Sequence, residues 1–208
     1  MMMSSDSTPN AKNENTNDVE NGAYQPSSTD GELLDVVDFD DRKIGTASRG
    51  EIHAKGLIHR AIHVILCNPQ GQFLQQKRSQ KKDRFPGWWD ISVGGHVNSG
   101  ELYQEAAHRE CREEMGLEAV ELERVAIMTP TAMNGFEHIH VFLGRLPDEP
   151  AIKFNTDEIT AVRWITLADY QAKAHPASED AEWRVTPCSY DTLKEWIRIG
   201  APGTKPVA

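Results

Sequence analysis

Apolar residues recur at strand or helix period over most of the chain, whereas the first thirty-one positions show neither period. "ELLDVVDFD" (32–40) and "KIGTAS" (43–48) meet at the polar turn "DRK" and predict an opening β-hairpin. "HRAIHVILCN" (59–68) and "GQFLQQKRS" (71–79) are apolar, β-rich runs joined at "NPQG", which predicts a second hairpin. "WWDISVGG" (88–95) reads as a short strand ending in glycines. "VELERVAIMTPT" (120–131), "EHIHVFLGRL" (137–146) and "ITAVRWITL" (159–167) read as further strands. Between them a helix is predicted over about 100–115, with Ser99 as N-cap, Glu101 and Glu105 in the early turns and Gly116 as the stop. "LADYQAKA" (167–174) and "SYDTLKEWIRI" (189–199) are also helical, the second presenting Leu193, Trp196 and Ile197 to a core. Strands on both sides of one central helix, without a repeat, predict a single α+β domain over 32–199.

Composition separates the flanks from that domain. Residues 1–31 are rich in Ser, Asn, Asp and Pro and cannot bury enough apolar surface to offset their ordering entropy, so a disordered acidic tail is expected. Residues 200–208 read as a flexible C-terminal tail. The net charge of −10 is uneven: ten acidic residues up to Asp41 face Lys12 alone, leaving 21 basic against 22 acidic residues from Arg42 onward. A chain with no basic stripe is not built to bind a nucleic-acid polymer. Three scattered cysteines without CxxC spacing favour a reducing compartment. No run approaches the ~18 apolar residues of a membrane span, and the polar N-terminus resembles no targeting peptide. A cytoplasmic protein with a small-molecule ligand is the expectation.

The candidate chemistry lies on the central helix. Glu110, Glu113 and Glu114 fall within an arc of roughly 100° beside the apolar Ala107, Cys111 and Met115. Like charges so placed repel, and a hard divalent cation with oxygen ligands would reverse the sign. Taken alone, the three glutamates read more readily as a solvated acidic face answered by Arg109 and Arg112. The wider spacing decides between these readings. Gly95, five residues, Glu101, seven residues, then Arg109-Glu110-Cys111-Arg112-Glu113-Glu114-Met115-Gly116-Leu117 fit one pattern over 95–117. Seven fixed residues at ~6–8% usage each recur by chance on the order of once in 10⁸ placements.

That segment resembles the Nudix box, and the order of elements over 32–199 resembles a Nudix hydrolase, with Cys111 at an apolar position of the box as a mild departure. The resemblance implies the Nudix fold, a mixed sheet between helices (α/β/α), and metal-dependent attack of water on a diphosphate linkage. By the same resemblance Gly94, Glu110, Glu113 and Glu114 are metal ligands for Mg²⁺ or Mn²⁺, with Glu110 and Glu113 catalytic. Gly95, Glu101, Arg109 and Gly116 brace the box, Arg109 through a carboxylate rather than the substrate. Glu158 in "NTDEITAVRW" matches an additional acid of the family. The implied partner is a small organic diphosphate, and relatives are often homodimers.

Upstream, "HRAIHVILCNPQGQFLQQKRSQKKDRFPGWWDISVGGH" resembles type I isopentenyl-diphosphate isomerases, which share the fold. Arg78 and Lys82 match their diphosphate-binding cations. His53, His59 and His96 approximate histidines of their metal site, His53 after a one-residue gap. The isomerase's catalytic cysteine position is Gly94 here, its arginine in the box helix is Glu110, and the box is complete. Isomerisation needs the missing thiol and hydrolysis needs the carboxylates that are present. The expectation is therefore a hydrolase of the isomerase-like branch; an isomerase and a non-catalytic Nudix-fold sensor are the alternatives. Phe85, Trp88, Trp89 and Phe136 could cover a base or prenyl chain, although aromatic residues beside a glycine-rich turn more commonly belong to the core.

Overall fold

A computed structural model of the chain describes residues 31–204; the acidic segment 1–30 and residues 205–208 lie outside it. In chain order the elements are β1 (Leu33–Val37), β2 (Lys43–Ser48), α1 (Arg49–Lys55), β3 (His59–Cys67), β4 (Phe73–Arg78), β5 (Trp89–Asp90) and β6 (Val93–His96). There follow α2 (Tyr103–Met115), β7 (Leu122–Met128), β8 (Glu137–Arg145), β9 (Ile159–Ile165), α3 (Leu167–Lys173) and α4 (Pro187–Arg198).

β3 organises the mixed sheet. It runs parallel to β8 in register from His59↔Glu137 to Cys67↔Arg145 and antiparallel to β6 from Ala61↔His96 to Val64↔Val93. The expected hairpin at "NPQG" forms, but β3 and β4 share only the Cys67↔Phe73 pair before they splay. β4 then pairs with β9 and β5 instead. The single strand expected over 88–95 is two short ones, because Ile91 and Ser92 turn inward: the Ser92 hydroxyl donates to Leu74 O (2.6 Å) and accepts from Leu66 N (2.9 Å).

Strand alternation sends successive residues to opposite faces. Ile62, Val64 and Leu66 pack with Ala106, Ala107, Cys111 and Met115 of α2. Ala61, Ile65 and Cys67 join Tyr170 of α3 and Leu193 and Trp196 of α4 on the other face. The result is the expected α+β architecture, helix layers enclosing a mixed sheet.

Three local expectations are revised. α2 starts at Tyr103, not at Gly100, and Ser99 is not its cap. The Ser99 hydroxyl donates to Asp35 Oδ1 (2.6 Å), while Glu105 Oε2 accepts from Leu102 N (3.0 Å) and fixes the first turn. α1 is an unexpected helix, capped by Ser48 and closed by Gly56 at φ 61°, with Ile52 as its buried residue. Residues 200–204, expected to be loose, fold back on α4: Ala201 is buried and Trp196 Nε1 donates to Pro202 O (3.2 Å). Among the described residues no helix is long and apolar enough to cross a membrane.

Candidate active site

A cleft of about 330 Å³ opens where β6, the N-terminal end of β3 and the box helix α2 meet. Its two ends carry different chemistry.

At the α2 end, Ala107, Cys111 and Met115 are anchored in the core, which leaves the neighbouring edge with Glu110, Glu113 and Glu114 facing the cleft. Arg109 braces this edge. Its Nε and Nη2 donate to the two oxygens of Glu101 (2.9 and 3.0 Å), Nη2 also to His96 O (2.9 Å), and Nη1 to Glu110 (2.6 Å) and Glu113 (3.2 Å). Glu101 in turn accepts from Asn98 N (2.9 Å), so the loop before α2 is tied to the middle of the helix. Arg109 thus pairs with carboxylates, as expected. Gly116 at φ 68° ends the helix where a Cβ would lie 2.9 Å from Lys153 O, and Asn155 N donates to Glu114 O (2.8 Å). That loop carries Glu158 to the cleft.

Gly94 and Gly95 make the two faces approachable. A Cβ at Gly95 would fall 2.2 Å from Glu110 Oε1, so only glycine lets the carboxylate lie against the strand. On the opposite face a Cβ at Gly94 would meet His63 Cδ2 at 3.3 Å. Glu114 accepts from Gln76 Nε2 (3.0 Å) and Gly94 N (3.4 Å). Burial pushes both the Glu114 and Glu110 carboxyls upward; next comes Glu110 for Glu114, whereas Arg109 opposes the rise at Glu110. A buried and a partly buried acid that resist ionisation together, with Glu113 beside them, fit a hard divalent cation.

Of the expected substrate cations, Arg78 pairs with Asp90 Oδ2 (3.0 Å) and Arg84 O (3.0 Å), and Lys82 pairs with Glu158. Both line the cleft. Ser79 N donates to Glu158 O (2.8 Å), which joins the Lys82 loop to the Glu158 loop. Trp89 is buried, as expected for a core aromatic, whereas Phe85 lines the cleft and Phe136 is partly exposed at φ 62°.

At the β3 end, His53 from α1, His59 from β3 and His96 from β6 converge with ring centroids 5.1–5.3 Å apart. One ligand nitrogen from each lies within 4.8 Å of the others. The histidines named by the isomerase resemblance are therefore brought together. Burial lowers the His96 and His53 imidazoles, His53 to about 3, and Glu137 opposes the shift at both. His59 Nδ1 lies 2.9 Å from Leu57 O; a carbonyl only accepts, so Nδ1 carries a hydrogen, and Nε2 faces Glu137. That Nε2 is buried without a hydrogen-bond partner, 3.7 Å from Glu137 Oε1, and His96 Nε2 is equally 3.7 Å away. Burial would raise the Glu137 carboxyl, but the His59 and His96 imidazoles outweigh it and hold it well below the usual range.

Sequence reasoning did not single out Glu137, His63 or Cys188, all of which line the cleft. The period-2 placement of His59 and His63 on β3 was a usable signal; nothing local in the sequence marks Glu137 or Cys188.

Comparison with known proteins fits this geometry. The NUDIX domain family matches residues 57–184. An isopentenyl-diphosphate Delta-isomerase of Photorhabdus laumondii is 34% identical over 81% of this chain and 98% of its own length. A prenyl-diphosphate phosphatase of Methanosarcina mazei is 33% identical over 70% of this chain and 87% of its own. A solved structure from Deinococcus radiodurans is 32% identical, with TM-score 0.59, and covers 68% of this chain and 90% of that one. A complete box at the mouth of the cleft, a family match over more than half the chain and whole-length relatives agree: the protein belongs to the Nudix family, in its isopentenyl-diphosphate-isomerase-like branch.

Proposed function

We propose that the chain is a divalent-metal-dependent hydrolase that cleaves the diphosphate linkage of a small organic diphosphate. The observation that carries this reading is the edge of α2, where Glu110, Glu113 and Glu114 face a cleft that also contains cations. Glu110, Glu113, Glu114, Glu158 and the Gly94 carbonyl would hold Mg²⁺ or Mn²⁺. The cation supplies charge neutralisation for the diphosphate and acidification of water. Glu110 or Glu113 accepts the proton as water attacks phosphorus. Arg78 and Lys82 bind the diphosphate oxygens after exchanging their carboxylate partners for them. Glu101 and Arg109 keep the glutamate edge aligned without touching substrate.

The Methanosarcina relative makes prenyl diphosphates the first candidates. A screen for phosphate and pyrophosphate release with Mg²⁺ and Mn²⁺, across prenyl diphosphates, nucleoside di- and triphosphates, nucleotide sugars and dinucleotides, tests the reading. Metal-dependent release from at least one class is expected; no release from any class overturns the reading.

Isomerisation is the second reading, favoured by the Photorhabdus relative matched over almost its whole length. Against it stands Gly94, which offers no side chain where the isomerases place their thiol. Conversion of isopentenyl to dimethylallyl diphosphate without phosphate release would reverse the ranking.

A further inference from the structure

The β3 end of the cleft contains a second convergence of ligand atoms that neither the box nor the histidine trio accounts for. His63 of β3, Glu137 of β8 and Cys188 of α4 place one ligand atom each within 4.8 Å of one another. Cys188 Sγ is 3.8 Å from His63 Nε2 and 3.9 Å from Glu137 Oε2. Tetrahedral zinc, with bonds of about 2.3 Å to sulfur and 2.0–2.2 Å to nitrogen or oxygen, requires ligand atoms about 3.6 Å apart. The two separations from sulfur differ from that by only a few tenths of an ångström, and the His63 and Glu137 ligand atoms lie within 4.8 Å of each other.

The imidazole is already set in the ligating tautomer. His63 Nδ1 lies 2.7 Å from Thr192 Oγ1, and the Thr192 hydroxyl lies 3.2 Å from Met128 Sδ. With the Thr192 hydroxyl donating to Met128 Sδ, its oxygen is free to accept from His63 Nδ1. Nε2 is left with its lone pair facing the thiol. Fixing the distal nitrogen by a hydrogen bond is what orients a metal-ligating histidine. His63 is buried, at 7% exposure, yet both it and Cys188 line the cleft, which provides an entry path.

We propose that His63, Glu137 and Cys188 form a binding site for a borderline-soft divalent cation of the zinc type, separate from the carboxylate site on α2. The charges suit burial: a thiolate and a carboxylate neutralise a dication, with the thiol proton released to solvent on binding. The fourth position faces the cleft and takes water or a ligand oxygen. Glu137 turns Oε1 to His59 and His96 and Oε2 to Cys188, so the site adjoins the histidine trio through one carboxylate. Gly94 permits this arrangement, since the His63 ring lies against the space a side chain there would fill.

The test is a binding measurement, so it stands or falls independently of turnover. The full chain, freed of metal by chelation, is titrated with Co²⁺ and followed by near-ultraviolet absorption. A thiolate-to-cobalt charge-transfer band that Zn²⁺ abolishes is expected. Cys188→Ser should remove the band, and Thr192→Val should lower cobalt affinity about tenfold by releasing the His63 ring. Absence of the band from the wild-type chain, or its persistence in Cys188→Ser, overturns the proposal. Should the serine variant not fold, X-ray absorption of the zinc-saturated wild-type chain decides: a sulfur neighbour near 2.3 Å supports the site, and a shell of nitrogen and oxygen alone overturns it.

Discussion

The α2 end of the cleft offers oxygen alone, from glutamates four residues or fewer apart on one helix. The β3 end offers imidazole nitrogens, one carboxylate and one thiol, from five elements spread between His53 and Cys188. The first is a hard set suited to Mg²⁺ and diphosphate chemistry, and the second is a softer set suited to a transition metal. One cleft thus joins the carboxylate edge of α2 to the histidine set that the isomerase resemblance singled out. Gly94 and Gly95 are the divide. They are consecutive on β6, so one opens toward His63 and the other toward Glu110.

The sharpest way to break this comparison is at Glu114. Glu114→Gln is expected to lower kcat about 10³-fold while the thermal unfolding profile stays close to wild type, because the helix contacts do not depend on its charge. Activity near wild type would remove the α2 end from the chemistry. Gly95→Ala is expected to displace the Glu110 carboxylate and cost about 10²-fold in kcat/KM, readable in the same steady-state assay.

Arg109→Ala probes stability more than chemistry. It removes the cation held among Glu101, Glu110 and Glu113 and leaves the partly buried carboxylates of Glu101 and Glu110 uncompensated, for a loss of about 2 kcal/mol in denaturant unfolding.

The smallest effect concerns pH. Glu110 and Glu114 have carboxyls raised above 4.5 in the metal-free fold, so above that pH the folded chain binds more protons than the unfolded one. Their contribution to stability therefore falls as pH rises from about 4.5 through neutrality, by on the order of 1–2 kcal/mol. Thermal unfolding at pH 5.5 and pH 8 in chelator should show the decline, and excess Mg²⁺ should reverse it at pH 8. A decline unaffected by Glu114→Gln would assign it to other groups.

The same division explains what could be read from the sequence. The box was legible because its cleft-facing residues and braces lie in one segment, and helix geometry alone converts their spacing into a shared edge. The strands were legible where β-branched and apolar residues form a continuous run, as in β3 and β8, which are buried on both faces. α1 was not, since seven residues with only Ile52 buried leave no apolar period to detect. Ser99 misled because the helix begins four residues later, with Leu102 at the cap position, and the Ser99 hydroxyl serves Asp35 instead. The β3 end escaped because its geometry is made by pairing: β3 alongside β8 places Glu137 beside His59, and α4 packs Cys188 against His63. No spacing within the chain encodes those contacts.

Hydrolysis at the α2 end is tested most directly by running the reaction in water enriched in heavy oxygen and analysing the products by mass spectrometry. The account predicts heavy oxygen in the phosphate or pyrophosphate product with Mg²⁺ or Mn²⁺, and none with Glu114→Gln. Rearranged organic diphosphate carrying no heavy oxygen and releasing no phosphate would contradict it.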